Sequence, residues 1–543
     1  MTTRCPAILP ALLIADDPRL AAQVACRLAT PGAYLPIIEG PKPSDSDHDI
    51  VRRNDAVARA KPRLILLTGL SDASCAAIDG GFTPLLKARL QRIHKLSDLD
   101  RVHRQDPPLR QSPPLRWGKD RIGVGLLNAL RNRTNIVFSD GPSPSENAPT
   151  KSNHVVICEE GDDLSQVVAA NYAFALDAGL HIIPGIDDPT SEQILEDFYR
   201  LCRERSSQPQ ALKNLKARLR QRCGQLSMTP SGSATFVTRR LPYGLAFPEF
   251  ASTHLLTRAS IGAAVVNGFA AEQPNTHGVS VAALVDPGNT TAPEIAAAKT
   301  LLSSTNLFLR SHEGSGANVR AVAEMIALFP YDLLIIATHC GDVSDHRQTD
   351  ELKGLPDAEP KLVGDIANGS TILKMYDQDY TLVTKPIADH GTPVFINNAC
   401  GSWHRFAESV TAAGARAYLG TLFPVTAAEA QEVIVKLLGK HFGQPLPAAL
   451  RLAQREVYGD GASRPYIMTG VYPQRLRASH HDIPKYIATR MTRALRRWKA
   501  ALDGLDPRDE QTSKAYRDII EFYKHELAAI KRRWLSPSDP GRQ

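Results

Sequence analysis

The chain has 543 residues, 43% of them hydrophobic and 22% charged, and 64 basic against 57 acidic side chains leave a net charge of +7. That balance excludes an intrinsically disordered chain and gives no electrostatic case for nucleic-acid binding. A length well beyond the ~250 residues at which one core stops growing predicts several domains. The run at residues 11–15, preceded by Pro6 and Pro10 and closed by Asp16-Asp17, reads as a buried strand and not as a secretory signal. No stretch reaches the ~20 apolar residues of a membrane helix, so a cytoplasmic protein without membrane insertion is expected. Eight scattered cysteines with no C-x-x-C pair argue against a disulfide framework or zinc ribbon and fit a reducing compartment.

Short aliphatic runs at 11–15, 64–67, 136–138, 155–158 and 181–183 alternate with helical patterns, the clearest at 163–177, where Leu164, Val167, Val168, Tyr172 and Leu176 share one face. This predicts an N-terminal α/β domain over residues 1–205, suited to sensing or docking. Residues 206–273 follow as a linker and a segment without a clear assignment. A cleaner α/β pattern fills 274–480, with strands at 279–285, 306–310, 332–338, 393–399, 416–422 and 466–471. Helices are expected at 292–302, 317–329, 405–413, 426–442 and 448–457. Right-handed crossovers would place these helices on the faces of one parallel sheet. Inside a long polar insertion, residues 371–376 and 380–384 read as a β-hairpin. The tail, 481–543, carries two helical patterns broken near Pro507 and basic clusters at 496–499 and 531–533, which predicts a basic helical hairpin.

Two predicted strands end in reactive side chains: Leu333-Leu334-Ile335-Ile336-Ala337-Thr338 runs into His339, and Val394-Phe395-Ile396-Asn397-Asn398-Ala399 runs into Cys400. Ligand sites of open parallel sheets form beyond the carboxyl ends of the strands, so the two can face one substrate. A thiolate paired with an imidazole is the chemistry of nucleophilic attack on a carbonyl. A single cysteine is more often a small core hydrophobe than a nucleophile, so the flanking residues carry the argument.

Strand-His-x-Gly followed by strand-Asn-Ala-Cys-Gly-Ser resembles the caspase-like (clan CD) cysteine peptidases, and within them the CHAT family. The similarity continues through Phe406 to Val425 and through Leu446 to Gln454, and covers about residues 280–471. The resemblance implies an α/β fold class with a caspase-like (caspase-hemoglobinase) parallel-sheet domain, and an endopeptidase with Cys400 as nucleophile and His339 as catalytic partner. It implies an oxyanion hole made by the backbone of Cys400 with Cys340 or Gly341. This chain departs from the family pattern in placing Cys340 between His339 and Gly341, and in having Phe423, a candidate wall of the substrate pocket that stays aromatic, where Trp is usual. No cofactor and no metal are expected, since adjacent His339 and Cys340 make a poor chelating pair. Relatives that cut after Lys or Arg place an acid in the first specificity pocket, in some of them two residues before the nucleophile; here Asn398 stands there, and Asp342, Asp345 and Asp379 are the candidate substitutes. The implied partner is a specific protein substrate, with a gasdermin-like pore former in bacterial antiphage defence as one class. Two rivals remain open: a protease latent until an activating protein partner orders the insertion 342–390, and a pseudoprotease kept as an interaction scaffold.

Overall fold

The computed structural model describes residues 5–532 apart from 43–44, 46, 103–112, 145–151, 162, 203–205, 225, 227–231, 257–259, 274–277, 289–291, 306, 339, 343–370, 382–391, 461–463, 479–481 and 507. It gives the backbone alone for 47–48, 102, 340–342, 371–372, 379–381, 404–405, 409 and 412.

The first 140 residues contribute short strands: β1 (Ala7–Ile8), β2 (Ala11–Ala15), β3 (Ala33–Tyr34), β4 (Ile37–Glu39), β5 (Leu64–Thr68), β6 (Leu90–Ile93), β7 (Leu115–Gly118) and β8 (Ile136–Ser139). Four of them form a parallel sheet in the order β4-β2-β5-β6, while β1 pairs with β3 and β7 with β8. The Asp16-Asp17 pair serves a local purpose here. Asp17 caps the helix Pro18–Leu28, accepting from Arg19 N at 2.8 Å, as a short acidic side chain does where a helix leaves amides unpaired.

A second sheet begins with β9 (His154–Glu159), β10 (Gly179–Ile183), β11 (Ser233–Thr238), β12 (Ala251–Leu256), β13 (Val281–Asp286), β14 (Phe308–Glu313) and β15 (Leu333–Ile336). Strands β16 (Cys340–Asp342), β17 (Thr371–Lys374) and β18 (Asp379–Thr381) then form a separate antiparallel sheet, so Asp379 belongs to a strand and not to the hairpin turn. The large sheet resumes with β19 (Val394–Asn397), β20 (Ala417–Thr421) and β21 (Tyr466–Gly470). Its order is β10-β9-β11-β12-β21-β20-β19-β15-β13-β14, ten strands in one sheet.

Two features depart from the expectation of a purely parallel sheet confined to the C-terminal half. Strand β21 runs antiparallel to β20. The cause is the connection: the two consecutive helices Ala427–Leu438 and Leu446–Tyr458 return the chain to the end of the sheet from which it left. The same strand pairs in parallel with β12, through His254 and Thr469, and thereby joins residues 154–256 to residues 281–470. The segment 206–273 supplies β11 and β12, interior strands of this sheet, and all six residues of β11 are buried.

Alternation along the strands divides the core by face. One face carries a continuous cluster that includes Ile157, Phe236, Val285, Ile336 and Phe395, and the C-terminal helices add Ile487, Met491, Tyr523 and Leu527 to it. On the other face, Val156, Val237 and Leu255 join the core of the N-terminal elements. Further along, Leu284, Ile335, Ile396 and Leu419 lie under the helices Pro293–Ser303, Ala427–Leu438 and Leu446–Tyr458. The tail helices Ile483–Asp503 and Glu510–Ile530 are anchored to edge strand β14 by Arg310, which donates to both oxygens of Glu526 at 3.0 and 2.7 Å.

Candidate active site

Strand β19 is Val-Phe-Ile-Asn, buried throughout and paired with β15 on one side and β20 on the other. A strand shielded on both faces fixes the residues that leave its carboxyl end. Asn397 Oδ1 accepts from Ala399 N at 3.0 Å. Thr421, at the end of β20, donates to Ala399 O at 2.7 Å and accepts from Gly401 N at 3.0 Å. Ser402 Oγ donates to Asn397 O and accepts from Thr421 N, both at 3.1 Å. Trp403 is fully buried, and its Nε1 donates to Thr469 Oγ1 of β21 at 3.1 Å. These bonds hold a tight turn in which Gly401 has φ of 67°, a left-handed conformation that costs a residue with a Cβ.

The turn leaves Cys400 outward. It is exposed, with Sγ 3.9 Å from Val425 O. The amides on either side, Ala399 N and Gly401 N, are occupied, whereas Cys400 N has no acceptor among the described residues. An unoccupied amide beside an exposed thiol is what a developing oxyanion requires. The other described cysteines differ. Cys26, Cys75, Cys158, Cys202 and Cys223 are buried and Cys5 is partly so. Burial pushes the thiols of Cys5, Cys26 and Cys223 up to about 12 and that of Cys202 to about 11, and it raises Cys75 and Cys158 as well.

Strand β15, next to β19, ends at Ile336, and Asn398 N donates to Ile336 O at 2.9 Å. Thr338, two residues on, donates from its hydroxyl to Lys374 O of β17. His339 and Asp345 lie outside the described residues. Cys340, Gly341 and Asp342 are placed as the backbone of β16, and Asp379 as backbone of β18. Phe423 is buried in the core on the opposite face from the helix Pro293–Ser303.

Asn398 is buried, and its Oδ1 accepts from Tyr466 OH at 3.1 Å. Two residues near it were not legible as site residues. Burial holds the Tyr466 phenol well above its usual range, and the fields of Glu294 and Cys400 add to the shift. Glu294, in the first turn of the helix Pro293–Ser303, is 5% exposed, and burial pushes its carboxyl up to about 7 against the favourable pull of the Asn398 amide. The sequence carried only a helix-start signal at Pro293-Glu294. His254 lies below the turn, edge-on to Trp403 at 5.4 Å. Its Nδ1 donates to Met468 O at 3.0 Å, its Nε2 accepts from Gly244 N at 3.1 Å, and burial lowers it to about 4, so it is a neutral core residue.

No family model matches the chain, and no curated protein matches it. Similar solved structures include separase from Saccharomyces cerevisiae in a separase–securin complex, 12% identical over 49% of this chain and 16% of that chain, with a TM-score of 0.28. A second structure of that complex gives 10% identity, 49% and 17% coverage and a TM-score of 0.26. A structure described simply as a protease is 11% identical over 60% of this chain and 80% of that one, with a TM-score of 0.36. This chain therefore spans about a sixth of the length of separase, and likenesses this distant carry no argument about activity. The large, mostly parallel sheet defines an α/β protein, and no described helix is long and apolar enough to cross a membrane. The functional reading rests on the residues at the end of β19.

Proposed function

We propose that the chain is a caspase-like cysteine endopeptidase of the CHAT type, with Cys400 as nucleophile and His339 as its partner. The observation that carries this reading is the turn at Ala399–Ser402. It presents an exposed thiol and an unoccupied amide at the carboxyl end of an interior strand, while burial disfavours ionisation of the other described thiols.

In this reading the Cys400 thiolate attacks the carbonyl carbon of the scissile peptide bond. Cys400 N, with an amide from Cys340 or Gly341, receives the oxyanion. Protonated His339 gives its proton to the leaving amine as the C–N bond breaks, leaving a thioester on Sγ. Water then attacks the thioester, His339 takes its proton, and the carboxylate product leaves with the thiolate restored. The substrate is a protein, and the CHAT resemblance extends the reading to a gasdermin-like pore former in antiphage defence. The scaffold reading is favoured by one departure, Cys340 between His339 and Gly341, which changes the residue supplying the second amide.

The test is digestion of a complex synthetic peptide library by the full chain, read by mass spectrometry. New peptide termini should form with the native protein and be lost in both Cys400→Ala and His339→Ala. Cleavage that persists in Cys400→Ala would refute the assignment, and absence of cleavage by the native protein would leave the two rivals, a protease latent until a partner binds and a scaffold.

A further inference from the structure

The carboxyl ends of β13, β15 and β19 lie side by side, and alternation puts specific side chains over the helix Pro293–Ser303. Ala282 and Leu284 of β13 face that helix, as do Val394 and Ile396 of β19. Asp286 and Asn398 continue the same two alternations at the strand ends. Glu294 completes the group from the first turn of the helix.

This group is short of partners. Among the described residues, no Lys or Arg forms an ion pair with Glu294 or Asp286, and the fields on both carboxyls include no cation. Glu294 Oε2 and Asn398 Nδ2 are buried, and apart from the pull of the Asn398 amide on Glu294 neither has a hydrogen-bond partner among the described residues. Burial raises both carboxyls; Asp286 adds to the cost of ionising Glu294, and Glu313 to that of Asp286, which Gly288 N offsets in part. A buried acid such as Glu294, with a half-buried acid beside it and no counter-charge among the described residues, is unfavourable unless something brings one. Here they stand beside Asn398, two residues from an exposed thiol.

We infer that Glu294, backed by Asp286, is the specificity-determining residue of this site and receives the lysine or arginine side chain of the substrate residue whose carbonyl carbon meets Cys400. This rests on the peptidase reading above. A guanidinium or ammonium in this position donates to Glu294 Oε2 and brings a charge that compensates both carboxyls. Asn398 alone offers only a neutral amide, which is why the residue two before Cys400 gave no hint of basic specificity.

The test uses two peptide acyloxymethyl ketones that differ only in carrying arginine or its neutral isostere citrulline next to the ketone. Covalent capture of Cys400 in the full chain is followed by intact and peptide mass spectrometry. In the native protein the arginine probe should react about 100-fold faster, the scale on which losing one partner of a buried charge pair is felt. Glu294→Gln should collapse that ratio to near one, and Asp286→Asn should reduce it in part. Taking the ratio within each variant separates specificity from any change in thiol reactivity. Equal capture of Cys400 by both probes, or an unchanged ratio in Glu294→Gln, overturns the inference and leaves the peptidase reading intact. If neither probe captures Cys400 and iodoacetamide shows it no preference, the reading and the inference fall together.

Discussion

The thiols of this chain should separate sharply in a timed alkylation. A hydrated cysteine titrates near about 8.5, so at pH 7.5 about a tenth of it is thiolate, whereas a thiol at about 12 is ionised to roughly three parts in 10⁵. The more basic thiolate is intrinsically more nucleophilic, which returns about 1.6 of those 3.5 decades. Protonation alone therefore slows Cys5, Cys26 and Cys223, each pushed up to about 12 by burial, by about 100-fold relative to a hydrated thiol. Burial of Cys26 and Cys223 also blocks access, so the observed gap should be larger for them. Cys400 is exposed, so access does not limit its reaction. The assay is iodoacetamide labelling of the native full chain, quenched over time and mapped by peptide mass spectrometry, with His339→Ala alongside. Cys400 should label at least about 100-fold faster than Cys26 and Cys223 and should slow in the variant. The gap should narrow above about pH 9, because buried thiols still gain thiolate about tenfold per pH unit there. Labelling of Cys400 no faster than Cys202 or Cys5 would refute the argument, and an unchanged Cys400 rate in His339→Ala would refute the partner.

Glu294 should make stability depend on pH in a defined sense. Its folded carboxyl is raised from 4.5 to about 7, so the folded state holds this proton more tightly; the contribution is fully present below about pH 4.5 and is lost as pH rises through 7. Denaturant unfolding should show Glu294→Gln gaining about 2 to 3 kcal/mol on the native protein between pH 5 and pH 8, and a flat difference would contradict the burial of that carboxyl. Arg310→Met leaves Glu526, 3% exposed, without its bidentate partner. It should cost about 3 kcal/mol and raise hydrogen exchange first in the helix Glu510–Ile530. Gly401→Ala places a Cβ that meets nothing closer than Tyr199 Cε1 at 4.0 Å. Its cost should therefore be the backbone term alone, about 1 to 2 kcal/mol by thermal unfolding; a much larger loss would mean the turn is held by contacts that a methyl disrupts.

The strands of the second half were legible because they are short all-aliphatic runs ending in punctuated turns. The reading at 332–338 and 393–399 overshot Leu333–Ile336 and Val394–Asn397 only at the ends, where side chains begin to serve the turns. Strands β11 and β12 were not legible, since Ser-Ala-Thr-Phe-Val-Thr and Ala-Ser-Thr-His-Leu-Leu mix polar and apolar residues without a period. Their polar side chains are satisfied by contacts no local pattern can announce. Thr235 lies within bonding distance of both His154 and Tyr172, and Thr253 donates to Gly470 O at 2.7 Å. Cys400 was singled out through its flanking residues. The burial of Glu294 was not legible because a glutamate in the first turn of a helix is usually an exposed partner of the helix dipole, and only the packing of that helix over the strand ends makes it a buried one.

That sheet also explains why a chain this long surrounds so small a turn. The bonds that fix Cys400 run outward through Thr421 to β20 and through Trp403 to Thr469 of β21. Thr469 is the very residue that pairs with His254 of β12, and His254 in turn is bonded to Met468 and packed on Trp403. The strands that precede residue 257 therefore brace the turn at Ala399–Ser402 from below through two shared side chains. Loss of the neutral His254, for example in His254→Leu, should leave Gly244 N and Met468 O buried and unpaired and cost about 2 to 4 kcal/mol. If the bracing is real, chemical unfolding of His254→Leu should be accompanied by faster exchange at Trp403 and Gly401 before the global transition. Exchange confined to β12 would mean that the two halves of the sheet share hydrogen bonds without sharing rigidity.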